Sequence, residues 1–183
     1  EVSLDFGYDK QLYGTSRQNS LVSRTYSGSW SVYFTNSTAI IFNYSLSNET
    51  ATENNRYDVT GTNVDITSYR NKMENVVYGV GVKQALSGKG SFLKPMISIG
   101  YAKQTITEST TYTFQSDVDG TIYLLESIPT ETSQDSVFGS FSLEISLTRR
   151  LSVRGSIKTV FPAFDFNKAK DDLKFLTGFT CYL

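Results

Sequence analysis

Six charged residues in this sequence are placed so that they share one confined space, and they are its best candidates for chemistry. They are Asp5, Lys83, Glu144, Arg154, Lys158 and Lys174. A tight turn joins the segments that carry Glu144 and Arg154, and pairing Leu147 with Leu151 sets these two charges directly opposite each other. Buried charges need partners of opposite sign. The expected chemistry is ion pairing, either as a fixed plug or as a gate whose pairs exchange to open a narrow water path.

The residue types that most catalytic and metal sites require are missing. The sequence has no histidine and one cysteine, Cys181. An imidazole base, a Cys/His zinc site and an intramolecular disulfide are therefore excluded. The phase of the last strand places Cys181 on an apolar face, where a thiol behaves as a small hydrophobe. We expect no enzymatic activity, no cofactor and no metal site.

Length and charge limit the class of protein. The chain has 183 residues, which suits one domain over 1–183, and its 17 basic and 18 acidic residues give a net charge of -1. A nucleic-acid binder carries a basic footprint that this chain lacks, so no nucleic-acid partner is expected. No apolar run approaches the roughly 20 residues of a membrane helix. The start at Glu1 shows no signal-peptide pattern, and we expect the mature form of an exported protein.

The elements that position the six charges are β-strands. Alternation with period two recurs in segments of about ten residues, the length with which a tilted strand crosses a bilayer. Eight such segments are predicted, at about 2–9, 26–34, 40–47, 76–83, 95–102, 137–147, 151–161 and 173–183. The fold class expected is therefore all-β, as an eight-stranded antiparallel up-and-down barrel.

Connections between the predicted strands alternate in length. Short turns are expected at 35–38, 84–91 and 148–150. Longer connections cover roughly 10–24, 48–72, 104–135 and 162–172. Short periplasmic turns on one rim and long extracellular loops on the other are typical of outer-membrane barrels. Within the third long loop, Asp119-Gly120 predicts a hairpin turn.

Small polar residues on one face of the strands decide which face is inside. That face consists mostly of Ser, Gly, Asn and Thr, whereas the solvated face of a soluble sheet carries long charged side chains. The interior of an eight-stranded barrel has room only for side chains that fill it. The polar face therefore points inward and the Val/Ile/Phe face points to lipid. The lipid bilayer is the partner that this polarity predicts.

Aromatic residues on the apolar face cluster near predicted strand ends. They are Tyr8, Tyr26, Trp30, Phe34, Tyr44, Tyr101 and Phe161. Amphipathic rings lie at the headgroup level of membrane barrels. We expect these seven side chains to form a lipid-facing aromatic belt.

In strand number, loop lengths and inward charges the whole chain resembles the small eight-stranded outer-membrane proteins, the OmpA transmembrane domain and the OmpX/Ail group. The resemblance implies a lumenal acid-base cluster at Glu144, Arg154, Lys158 and Lys83, and a sheet outside the membrane near 107–126. It also implies a terminal aromatic residue, whereas this chain ends in Leu183. The outer-membrane barrel enzymes use a histidine, so they are set aside.

Three functions follow from this pattern. The leading hypothesis is a non-enzymatic barrel of a Gram-negative outer membrane that is structural or recognises a surface partner, in an adhesion-type role, through loops at about 10–24, 48–72, 104–135 and 162–172. The second is a narrow, porin-like gated pore that uses the inward charges. The third is a soluble lipocalin-like carrier of a small apolar ligand, because Gly28-Ser29-Trp30 matches the short G-x-W motif of that family.

Overall fold

A single antiparallel sheet accounts for the strands of the described residues. The computed structural model describes residues 1–88, 91–163 and 172–183. Its strands are β1 (Val2–Tyr13), β2 (Asn19–Tyr33), β3 (Thr38–Glu53), β4 (Tyr57–Asp58), β5 (Val64–Ala85), β6 (Leu93–Ser116), β7 (Ile122–Glu126), β8 (Thr130–Ser146), β9 (Leu151–Pro162) and β10 (Lys174–Cys181). Among these described residues, no helix is long and apolar enough to cross a membrane.

Eight of the strands close into a ring. Going round it, the order is β1, β2, β3, β5, β6, β8, β9 and β10, and β10 pairs again with β1 through Thr177–Cys181. Every pairing is antiparallel. Strands that are neighbours in the ring also follow one another along the chain, apart from the short β4 and β7. The topology is therefore up-and-down. The predicted eight-stranded barrel is confirmed.

Burial along the ring strands is inverted relative to a soluble protein. On β1, Leu4 is 67% exposed while its neighbour Ser3 is 1% exposed. On β2 the inward residues Ser27, Ser29 and Ser31 are buried, and Trp30 between them is half exposed. Successive side chains of a strand point to opposite faces. The alternation in the sequence therefore becomes an apolar exterior around a polar interior.

Several ring strands are much longer than the ten residues predicted. β5 has 22 residues and β6 has 24, about twice what a membrane crossing needs. The predicted loops at 10–24, 48–72 and 104–135 are therefore largely strand, so their prediction as loops was wrong. The sheet expected near 107–126 is present as the outer part of β6 paired with β7. Their Thr- and Tyr-rich segments favour strands without alternating in polarity, so a search for period two overlooks them. The fourth predicted loop, 162–172, lies mostly outside the described residues.

Two of the three short turns, after β2 and after β8, are built by one local device. Thr148 follows β8, and its Oγ1 accepts hydrogen bonds from the backbone N–H groups of Arg150 at 3.2 Å and Leu151 at 3.0 Å. Thr35 follows β2 in the same way and accepts from the N–H of Thr38 at 2.9 Å. Threonine hydroxyls stabilise turns by such contacts. The two turns define what we call the short-turn rim, and the opposite end of the barrel is the long-strand rim.

The hairpin predicted at Asp119-Gly120 is present at the far end of β6. Gly120 has a positive φ of 71°, a conformation that favours glycine. Asp119 accepts a hydrogen bond from the N–H of Thr121 at 3.1 Å. Hydrogen bonds with Ser116 and Thr121 lower the pKa of Asp119 to about 2. Because the pKa is lowered, this contribution to the turn is present at neutral pH and is lost only as the pH falls towards 2.

Candidate functional site

The centre of the lumen is an ion pair that crosses a whole strand. Arg154 on β9 and Asp5 on β1 flank Gly178 of β10, which is the register partner of both. The Nε of Arg154 donates to Asp5 Oδ1 at 3.0 Å, and its Nη2 bonds the other carboxylate oxygen. Both side chains are buried. A bidentate pair of this kind is strong and fixes geometry, and it fits here because Gly178 leaves the space between the two residues free.

Glu144 lies beside this pair on the side of the short-turn rim. It is the register partner of Arg154 across β8 and β9, as expected, and it is fully buried. Its carboxylate accepts hydrogen bonds from Tyr182 at 2.7 Å and Thr180 at 3.1 Å. Arg154 Nη1 and Lys83 Nζ lie 3.9 Å and 3.7 Å from its Oε1. One carboxylate is thus shared by two cations.

Lys83 connects Glu144 to a second acid that sequence reasoning overlooked. Its Nζ forms a salt bridge with the carboxylate of Glu1, which also accepts a hydrogen bond from Tyr33 at 2.6 Å. Both Lys83 and Glu1 are nearly fully buried. The two tyrosines that donate to these acids, Tyr33 and Tyr182, alternate in phase with the small polar residues. That phase was the signal in the sequence that both side chains point inward. We call Glu1, Asp5, Lys83, Glu144 and Arg154 the lumenal cluster.

Two further cations lie outside this cluster. Lys158 Nζ donates to Asn43 Oδ1 at 2.6 Å and to Ser27 Oγ at 3.2 Å. Lys174 Nζ, nearer the long-strand rim, donates to Glu49 Oε1 at 3.0 Å. The six predicted charges therefore all point inward. The structure brings four of them into one connected cluster, and Lys158 and Lys174 lie between that cluster and the long-strand rim.

Little open space remains around these groups. Two cavities of about 20 Å³ each flank Lys158, one towards Lys174 and the other towards Asp5. Each has room for about one water molecule. Inward of the rims, the described lumen holds the acids Glu1, Asp5 and Glu144 against the bases Lys83, Arg154 and Lys158. The interior is thus filled and balanced in charge.

Six of the seven predicted belt aromatics lie on the exposed outer surface. Tyr8, Tyr26, Trp30, Phe34, Tyr44 and Tyr101 are each at least half exposed. Tyr78 joins them, since it is paired with Tyr44 and is 52% exposed. Phe161 differs, because it is only 6% exposed and so does not belong to the exposed belt. The alternation along a strand determines on which face of the sheet a side chain lies, but it does not determine whether other residues bury that side chain.

The strands beyond the barrel form a protruding sheet with an aromatic face. β4 and β7 pair with the outer parts of β5 and β6. One face carries Tyr69, Tyr112, Phe114, Tyr123 and Leu125, which we call the aromatic face. The rings of Tyr69 and Tyr112 are 5.3 Å apart, and those of Tyr112 and Phe114 are 6.2 Å apart. Tyr123 and Leu125 are more than half exposed.

An ion pair ties the connection between β3 and β4 to this sheet. Arg56 bonds Asp65 at the start of β5 and, through Nη2, Asp117 Oδ1 at 2.9 Å. Both contacts lie outside the barrel, where exposed pairs contribute little stability but hold the loop in place. Within residues 1–88, 91–163 and 172–183, no group of three or more Cys, Asp or Glu side chains is arranged to hold a metal ion.

Comparison with known proteins is informative only at the level of fold. No protein-family model and no curated protein matches the sequence. The N-terminal β-barrel domain of Pseudomonas aeruginosa OprF superposes with a TM-score of 0.52 at 12% identity, over 97% of this chain and 93% of that one. Ail of Yersinia pestis, solved in complex with the heparin analogue sucrose octasulfate, superposes with a TM-score of 0.47 at 13% identity, over 98% and 96%. The likeness to the OprF domain identifies the fold as that of a small outer-membrane barrel.

Proposed function

We propose that residues 1–183 form one non-enzymatic β-barrel domain of a bacterial outer membrane, which recognises a surface partner through its protruding sheet. The observation that carries the membrane assignment is the inverted polarity of the barrel. Its outside is a band of exposed Val, Ile, Leu and aromatic side chains, and its inside is buried Ser and paired charge. Water cannot solvate such an outside favourably. The short-turn rim faces the periplasm and the protruding sheet faces the outside of the cell.

The same interior argues against the two alternatives. A carrier of an apolar ligand needs an enclosed apolar cavity of some hundreds of Å³. The two cavities in the middle of the described lumen hold about 20 Å³ each, and the larger ones, of about 310 and 520 Å³, are open clefts at the two rims. A pore needs a continuous water path, and both central cavities are bounded by Lys158. Structural and recognition roles require neither a cavity nor a path. They are therefore favoured over transport.

Membrane insertion is tested by the fluorescence of the single tryptophan. Trp30 is 52% exposed on the outer face and stacks on Phe42 with ring centroids 5.5 Å apart. In bilayers whose acyl chains carry bromine, the proposal predicts strong quenching of Trp30, because bromine quenches on contact. The chain is refolded into such bilayers and its emission is compared with that in unbrominated lipid.

A matched control moves the reporter out of the membrane. In the double variant Trp30→Phe/Val118→Trp, the indole lies at the tip of the protruding hairpin, where Val118 is 77% exposed. Its emission is expected to be the same in both lipids. A wild-type protein that stays in the aqueous phase with unquenched Trp30 would contradict the proposal and favour a soluble barrel.

Recognition is tested on the aromatic face. Exposed aromatic side chains are enriched at interface centres, and removing a few of them abolishes most of the binding energy. The double variant Tyr123→Ser/Leu125→Ser is expected to lower adherence of producing cells to an epithelial cell layer about tenfold or more. The count of adherent cells at equal surface expression is the measurement.

The control for this test lies on the opposite face of the same strand. Ile122 and Leu124 are as exposed as the tested residues but point away from the aromatic face, since side chains alternate along a strand. Ile122→Ser/Leu124→Ser is expected to leave adherence within twofold of wild type. Equal loss in both variants would point to a collapsed hairpin, and no loss in either would remove the recognition role.

A further inference from the structure

Charge is distributed unequally between the two ends of the barrel. At the short-turn rim, Lys94, Arg149 and Arg150 lie within or beside the connections that follow β5 and β8. We call these three residues the basic rim. The only acidic side chains near them in the described part of the chain are Glu1 and Glu144, which are buried and already paired. Every other Asp and Glu of the described chain lies in the lumen or towards the long-strand rim.

The cations of the basic rim are not engaged by acids in the structure. In the described part of the chain, no salt bridge includes Lys94, Arg149 or Arg150. Arg149 and Arg150 are exposed. Lys94 is the register partner of Glu144, yet its Nζ lies 4.5 Å from the centre of the Tyr182 ring, at the mouth of the barrel. Arg149 and Arg150 are therefore available to an anionic partner outside the barrel, while Lys94 adds positive charge at its mouth.

The depth of the basic rim identifies that partner. Leu147 and Leu151 bracket the turn that carries Arg149 and Arg150, and both face outward with 57% and 38% exposure. Phe92, before β6, is 68% exposed at the same rim. Apolar side chains at this depth enter the acyl region, so the arginines beside them reach the headgroup level. An anion at that level is a lipid phosphate.

We propose that the basic rim binds the phosphate groups of anionic phospholipids in the leaflet that surrounds the short turns. This inference rests on the proposed membrane location and adds a lipid preference to it. Arginine suits the task because its planar guanidinium bonds phosphate oxygens in pairs. The long-strand rim differs, because its exposed bases, such as Arg70 and Lys72, lie among exposed acids such as Glu74. The proposed preference therefore concerns the leaflet around the short turns.

The single cysteine provides a native reporter for this site. Cys181 is exposed on the outer face of β10 and is the register partner of Leu151, the residue after Arg150. A fluorophore attached to Cys181 in reconstituted protein is quenched by lipids that carry a nitroxide on the headgroup. Quenching is compared between nitroxide-labelled phosphatidylglycerol and phosphatidylcholine at equal mole fraction, at low and at high salt.

The expected result is preferential quenching by the anionic lipid. A cation close to an anionic headgroup enriches that lipid about fivefold, and salt screens the effect. The wild type is expected to favour phosphatidylglycerol about fivefold at low salt. Arg149→Ser/Arg150→Ser is expected to bring the ratio close to one. Arg70→Ser/Lys72→Ser removes the same charge from exposed positions at the long-strand end of β5 and is expected to retain the preference.

Two outcomes overturn the inference. They are equal quenching by both lipids in the wild type, and a preference that survives in the rim variant. Brominated-lipid quenching of Trp30 in the same samples separates this result from the proposed function. A quenched Trp30 without headgroup preference removes only the lipid site, whereas an unquenched Trp30 removes the membrane assignment itself.

Discussion

Replacing Glu144 with alanine is expected to lower the free energy of unfolding by about 3–5 kcal/mol, the cost of leaving buried charge without its partner. The carboxylate is fully buried between Lys83 and Arg154 and accepts hydrogen bonds from Thr180 and Tyr182. Its removal leaves the lumen with an excess positive charge and takes an acceptor away from the hydroxyls of Thr180 and Tyr182. Urea unfolding in lipid vesicles, followed by tryptophan fluorescence, measures the change.

Two variants separate charge from volume in this experiment. Glu144→Gln keeps the size and the oxygen acceptor but removes the charge, so it is expected to lose less stability than alanine does. Glu108→Ala removes an exposed acid from β6 and is expected to change stability by less than about 0.5 kcal/mol. If Glu144→Ala were as mild as Glu108→Ala, the lumenal cluster would not contribute to stability.

The second large effect is expected at Gly178. A Cβ at this position would lie 2.6 Å from Asp5 Oδ1 and 2.7 Å from Asp5 Cα, and it would also collide with the backbone oxygen of Leu4. These atoms belong to β1, so relief requires the β1–β10 pairing to shift. Gly178→Ala is expected to destabilise the barrel by about 3 kcal/mol. The readout is again the unfolding midpoint in urea.

Gly155 is the matched position for this prediction. It lies on β9, one residue from Arg154, and a Cβ built there meets no atom within 4 Å. Gly155→Ala is expected to be nearly neutral, within about 0.5 kcal/mol. Equal destabilisation at the two sites would mean that the close approach of β1 does not govern Gly178.

The fold was predictable because a barrel in lipid imposes a simple rule on every strand. Polar and apolar residues must alternate wherever one face meets lipid and the other meets the lumen. The Glu144–Arg154 register followed from the same rule, since a three-residue turn leaves little freedom. The local sequence pattern was therefore enough to predict strand positions and register wherever consecutive strands cross the membrane.

What the sequence did not reveal depends on longer-range geometry. The Asp5–Arg154 pair spans two strand pairings, and the alternation of either strand alone cannot indicate it. The extensions of β5 and β6 left no signal of period two, because neither face meets lipid there. Phe161 obeys the alternation yet is buried. Each miss concerns a contact or an environment that the neighbouring residues in the chain do not determine.

The pairing of β1 with β10 is expected to form later during folding than the other strand pairings of the barrel. Its register joins five residue pairs, Val2–Phe6 with Thr177–Cys181, while β5 and β6 join along more than twenty residues of each strand. It also joins the two ends of the sequence, so its loop-closure entropy is the largest in the fold. The β5–β6 hairpin is therefore expected to form early. The β1–β10 pairing is expected to form last and to open first, and the Arg154–Asp5 ion pair is expected to stabilise it once it has formed.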